Sequence, residues 1–83
     1  MSKENKRIAK AAFNDAGMKV YQKDMKEVII HNMMVEDYFP HRRIFRVEMN
    51  DGRSYEMLQE TVDKDNNFSM GSARYITREV REV

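Results

Sequence analysis

Hydrophobic residues recur along this 83-residue chain with two different periods. Over residues 3–16 the period is helical. Ile8, Ala12 and Ala16 are spaced i, i+4, i+8, Ala9 and Phe13 widen the stripe, and Lys3, Arg7, Lys10 and Asn14 line the opposite side. Alanine and lysine favour the helical state, Ser2 stands where an N-cap belongs, and Gly17 stands where a left-handed C′ residue belongs. The basic stripe reads first as a solvated face and, alternatively, as an anion-facing surface.

Beyond Gly17 the pattern turns toward strands. MKVYQ (18–22) predicts a short one. MKEVIIHNMMVE (25–36) fits a helix opened by an Asp24/Glu27 capping box, but its β-branched run and the need of helix 3–16 for a sheet to pack on favour a strand. Such a strand has Ile29, His31, Met33 and Val35 on one face and Val28, Ile30 and Met34 on the other. Apolar on both faces, it would be central and covered on each side, with His31 half-buried. Tyr38-Phe39-Pro40 then turns the chain. Residues 62–71 read as a loop, and the tail, 73–83, leans to a strand.

Between them lies HRRIFRVEMNDGRSYEMLQE (41–60), a hairpin whose register is decided by parity. A two-residue Asp51-Gly52 loop would oppose Val47 to Glu56 and Arg46 to Met57, mixing charged and apolar partners. A three-residue Asn50-Asp51-Gly52 loop, with Gly52 left-handed in a G1 bulge, opposes Val47 to Tyr55, Phe45 to Met57, Arg46 to Glu56 and Arg42 to Glu60. The second register sorts the residues by face and is the one predicted. It sends Phe45, Val47, Tyr55 and Met57 to the core, and it leaves Arg43 opposite Gln59 with no acid to pair with. The resulting fold class is α+β: an N-terminal helix packed on a small antiparallel meander with a hairpin at residues 42–60, in a single domain spanning 1–83.

Composition narrows the function classes. Hydrophobic residues make up 41% and charged residues 35%, too apolar for a disordered chain. A chain this short buries only about 60% of its unfolded surface, so a homodimer is an expected way to bury more. Cysteine is absent, which excludes disulfides and thiolate chemistry and fits a reducing compartment. MSKENKRIAK has no apolar core of a signal peptide, and no apolar run exceeds three residues, so the expectation is a cytoplasmic protein without a membrane span. The formal net charge is +1, with alternating blocks: residues 1–10 and 41–46 are basic, and residues 47–69 carry six acids against Arg53 and Lys64.

No glycine-rich phosphate loop, HExxH or nucleophile elbow is present, and no cofactor or metal is expected. His31 and His41 would need a carboxylate such as Asp37 to make a metal site. Eight methionines suit either core filling or an adaptable docking surface. Three function classes follow. The leading one is a non-catalytic protein-binding module, a stoichiometric inhibitor or regulator of the accessory type that phages and mobile elements carry. The alternative is an RNA- or DNA-binding protein using the N-terminal basic helix and the 41–46 segment. A catalytic domain ranks last. Tyr38, Phe39, His41, Arg43, Lys3, Arg7 and Lys10 are the candidate contact residues for a protein or nucleic-acid partner.

Overall fold

The computed structural model describes residues 2–33, 42–62 and 74–83. Helix α1 (Ser2–Asp15) is followed by a 3-10 turn (Gln22–Asp24) and four strands, β1 (Met25–Met33), β2 (Arg42–Met49), β3 (Ser54–Val62) and β4 (Arg74–Glu82). The strands form one sheet in sequence order, β1-β2-β3-β4, with every neighbouring pair antiparallel. An α+β architecture with a helix over an antiparallel meander is thus what the sequence pattern forms.

α1 forms where the helical period predicts it. Ala9, Ala12 and Phe13 are completely or almost completely buried and Ile8 packs at the margin, whereas Ala16 is exposed beyond the last turn. Ser2 is the first helical residue rather than a flanking cap. Gly17 has φ 80°, the left-handed stop expected of it. Phe13 meets Tyr55 edge-on, ring centroids 5.6 Å apart at 86°, and joins Met25, Val28, Phe45, Val47, Met49 and Met57 in the core. Met25, Met49 and Met57 are therefore core-filling methionines.

The hairpin adopts the predicted register in full, Arg42↔Glu60 through Glu48↔Ser54. Its loop closes through Gly52 N–H to the Met49 carbonyl at 3.1 Å and Met49 N–H to the Arg53 carbonyl at 2.8 Å, with Gly52 at φ 95°. That is a type I turn followed by a left-handed bulge residue.

Several expectations are corrected. MKVYQ is not a strand. Met18 and Val20 are half-buried while Lys19 and Tyr21 are exposed, so the alternation is real, but the segment belongs to no strand ladder and ends in the 3-10 turn. Alternation here reports an extended chain lying against the core, not sheet pairing. Strand 25–36 forms as β1, but at the edge of the sheet rather than its centre. With one helix on one face, the side of β1 carrying Ile29 and His31 is open, and both residues are exposed. His31 is therefore not half-buried. Of the loop expected over 62–71, Val62 is instead the last residue of β3, and the rest, like the turn at Tyr38-Phe39-Pro40, lies outside the described residues. The tail forms β4, and its ladder shifts register between Leu58 and Gln59, where Arg78 is the extra residue.

α1 runs from one sheet edge to the other. Near its start, Asn5 Nδ2 donates to the Val28 carbonyl of β1 at 3.3 Å, and at its end Asp15 Oδ2 accepts the Thr77 N–H of β4 at 2.6 Å. Both edges thus have backbone groups occupied by helix side chains, which blunts strand addition there.

An added Cβ at Gly52 would meet nothing within 4 Å, so a substitution there costs only backbone strain. Gly52→Val is expected to lose about 1–2 kcal/mol in urea unfolding, while Gly52→Asn, which tolerates the left-handed region, stays close to wild type. Equal losses for both variants would point to a steric cause and against the turn conformation.

Candidate functional site

The basic residues divide into two sets with different surroundings. On the sheet face away from α1, Arg42, Arg46, Arg78 and Arg81 are each matched by a glutamate. Glu60 of β3 holds Arg42 Nε at 3.0 Å from one side and Arg78 Nε at 3.3 Å from the other. Glu56, four residues earlier on the same face, holds Arg46 at 3.7 Å and Arg81 at 2.6 Å. The parity of the hairpin placed Arg42 and Arg46 on these glutamates. The second arginine of each triad comes from β4. Arg42 and Arg78 hold the Glu60 carboxyl below the usual carboxylate range, hydrogen bonding from Arg42 leading. Between the two triads Ile44 lies beside Leu58, both half-buried, with His31 next to Ile44 on β1 and Glu79 next to Leu58 on β4, while Ile29, 40% exposed, stands beside Arg46.

Arg43 lies on the opposite face and is not a free cation. Its guanidinium carbon sits 3.7 Å from the Tyr75 ring centroid and 5.0 Å from that of Phe45, and Nε donates to Gln59 Oε1 at 2.8 Å. Burial lowers its pKa, the Tyr75 oxygen partly opposing, yet an arginine remains charged. The hydrogen bonding continues inward. Gln59, only 4% exposed, donates to Thr77 Oγ1 at 3.1 Å, and the Thr77 hydroxyl donates to the Ala12 carbonyl in the last turns of α1 at 2.8 Å. A buried glutamine is thereby satisfied, and Arg43 is tied to the helix through it.

The second basic set lies on one flank of α1 and the segment after it. Residues 1–23 carry six basic side chains, Lys3, Lys6, Arg7, Lys10, Lys19 and Lys23, against Glu4 and Asp15. Arg7 is paired with Glu4 at 2.7 Å, and the pairing pulls the Glu4 carboxyl down and the guanidinium up. Among the described residues, the lysines of this flank have no carboxylate within ion-pair distance. Tyr21 projects there, 46% exposed, with the Lys19 and Lys23 ammonium groups each 5.9 Å from its ring centroid. Lys10, Asn14, Lys19 and Tyr21 line one shallow depression.

Of the predicted contact residues, Lys3 and Lys10 fall on this flank, Arg7 lies beside it but paired, and Arg43 is engaged on the covered face. Tyr38, Phe39 and His41 lie outside the described residues. Lys19, Tyr21 and Lys23 were not singled out by sequence. Their alternation, K-x-Y-x-K, was visible, but reading 18–22 as a sheet strand hid that one side of it faces solvent. No helix among the described residues is long and apolar enough to cross a membrane. Comparison with protein-family models, with curated proteins and with solved structures finds no match.

The depressed pKa of Glu60 sets a pH test. A carboxyl whose folded pKa lies below its ordinary value of 4.5 stabilises the fold above that value, and the contribution disappears as pH falls through the folded pKa. Glu60→Gln should therefore lower the melting temperature at pH 7 and approach wild type as the pH falls below the ordinary carboxylate range. A deficit unchanged between pH 7 and pH 3 would mean that Glu60 acts through packing rather than charge.

Proposed function

We propose that this protein is a non-catalytic binding module for a partner protein with an acidic surface, engaged through the lysine flank of α1 and residues 18–23. The observation that carries this reading is the contrast between the two basic sets. Arg42, Arg46, Arg78 and Arg81 of the sheet are already matched by glutamates, so contact with an anion would have to break existing pairs. Lys3, Lys6, Lys10, Lys19 and Lys23 have no such competitor among the described residues, and Lys10, Lys19 and Lys23 lie beside an exposed tyrosine. An aromatic ring amid cations is suited to anchor a protein contact, the ring by burial and the lysines by steering. The perturbed carboxylates support a binding role over catalysis. Glu4, Asp51 and Glu60 are each held down by a neighbouring arginine, the condition of a structural ion pair rather than of a poised acid or base. Inhibitor or regulator is the form this activity takes when the acidic surface belongs to an enzyme or a nucleic-acid-binding protein.

A nucleic-acid reading is favoured by the same tyrosine, since a ring beside lysines is also a stacking platform. It ranks second. The sequence pI of about 8.0 falls short of the strongly basic balance of typical nucleic-acid-binding domains, and the 41–46 arginines expected to extend the site are paired or stacked elsewhere.

Titration with a glutamate-rich peptide and with a single-stranded RNA of similar length separates the two. The peptide is expected to bind at low salt and to lose about tenfold or more in affinity at physiological salt. The triple variant Lys10→Glu/Lys19→Glu/Lys23→Glu should abolish binding while its melting temperature stays near wild type. RNA binding tighter than the peptide, with Tyr21→Ala costing about 1–3 kcal/mol, would move the assignment to nucleic acid. If neither ligand is retained at low salt, the flank is a solvated face.

A further inference from the structure

We infer that the open face of the sheet is a dimer interface, and that its occupant is a second copy of this chain. The inference is independent of the lysine flank and would hold whichever partner the flank takes.

Among the described residues α1 covers one face and no element covers the other, which carries Ile44 and Leu58, both half-exposed. The arrangement of charge around this pair is self-complementary. The Arg42–Glu60–Arg78 triad lies on one side of it and the Arg46–Glu56–Arg81 triad on the other. Each triad has one positive charge in excess, Glu48 and Glu79 offset the two, and Lys26 is offset by Glu27, so the described side chains of this face carry no net charge to repel a second copy. The flank of α1, with six basic groups against two acids in residues 1–23, would repel one.

The register also defines a symmetry operation that works. A two-fold axis running parallel to the strands, midway between β2 and β3, sets β2 of one chain over β3 of the other. Residues paired across the hairpin then become residues stacked across the interface. Ile44 faces Leu58 of the second copy, Arg42 faces its Glu60, and Arg46 faces its Glu56. Rotating about an axis along the Ile44–Leu58 pair instead sets Arg42 over Arg46, which is repulsive, so the charges select one arrangement. It is a face-to-face packing of two sheets with nearly aligned strands, as in a β-sandwich. Edge-to-edge pairing is disfavoured because Asn5 and Asp15 occupy backbone groups on the two edges. The area is adequate. Four strands about 4.8 Å apart, and about 30 Å long at nine residues, present roughly 550 Å² in plan, near the ~800 Å² per partner of a standard interface once surface relief is counted.

Light scattering behind size exclusion, with sedimentation equilibrium over a concentration series, reads the outcome. Wild type is expected at twice the 9.9 kDa chain mass. Ile44→Glu and Leu58→Glu should each shift the dimer–monomer midpoint at least tenfold to higher concentration. Arg46→Glu should do the same, and the exchange Arg46→Glu/Glu56→Arg/Arg81→Glu should restore the dimer, since both partners of each cross-interface pair are then reversed and position 56 keeps an opposite charge on either side. Lys10→Glu and Lys19→Glu should leave the mass unchanged. A wild-type monomer throughout the series overturns the inference, as does a dimer indifferent to Ile44→Glu and Leu58→Glu. If a single variant loses its cooperative melt, the exchange variant decides: a folded exchange variant that stays monomeric overturns the arrangement. A face that instead takes a different protein would appear as wild-type monomer here. Peptide binding by the flank is read separately and fails or succeeds on its own.

Discussion

α1 is fastened at both ends to opposite edges of the sheet, and the placement of everything else depends on that diagonal. Between Asn5 on the Val28 carbonyl and Asp15 on the Thr77 amide, the helix has only its Ala9–Ala12–Phe13 stripe to bury. Two of those three residues are alanines, so the helix approaches the sheet closely and Phe13 supplies most of the apolar volume. A truncation at Phe13 would cost on the order of 3–5 kcal/mol, comparable to the whole stability of many domains this small. The buried chain from Gln59 through Thr77 to the Ala12 carbonyl reinforces the same contact. The Ala12 carbonyl, which the Ala16 N–H reaches at 3.3 Å, accepts the strand hydroxyl as a second and shorter bond where the helix meets β4.

One helix over one face leaves the other to be managed by its own side chains. The glutamates of β3 are the means. Because β3 is flanked by β2 and β4, Glu56 and Glu60 each receive an arginine from either side, and the aliphatic stems of those arginines border the Ile44–Leu58 pair. Individual exposed pairs contribute only about 0–1 kcal/mol. Their stronger effect is on register, since a slip of one residue would set like against unlike along the whole ladder.

The parts of this fold legible in the sequence are those where two constraints act on the same residues. In the hairpin, face parity and charge pairing both demanded that Val47 oppose Tyr55 and Arg46 oppose Glu56, and a loop ending in Gly52 was available to close that register. In α1 the apolar stripe and Gly17 agreed. Where a single pattern stood alone it misled. The alternation of residues 18–22 is identical for an extended chain resting on the core and for a strand, because hydrogen bonding across a ladder leaves no mark on one segment's polarity. The apolar doubling of β1 suggested a central strand, but Ile29 sits on the open face. Nor could the bulge at Arg78 be read, since tail residues of either parity are apolar or charged in turn. The site was less legible still. Arg43 was singled out for having no acid opposite it, which is true, but its actual partners are two rings and an amide contributed by three strands, and only the assembled sheet brings these together.

Net charge, finally, is a poor guide to what this surface can bind, because the two basic sets count equally in it and differ physically. Arginine and lysine divide between them by geometry. The planar fork of arginine suits the fixed cross-strand distance to a glutamate, and it is arginine that stands at 42, 46, 78 and 81. Lysine, a mobile point charge on a long stem, stands at 3, 6, 10, 19 and 23, where the backbone offers no fixed anion at all. A cation held by a carboxylate inside the chain must lose that bond before it gains another, so its contribution to association is a difference between two similar terms. A cation solvated beside Tyr21 gives up only part of its hydration and some rotamer freedom. The local field that an incoming anion meets is therefore set by the lysine flank, even though the four glutamate-matched arginines of the sheet are nearly as numerous.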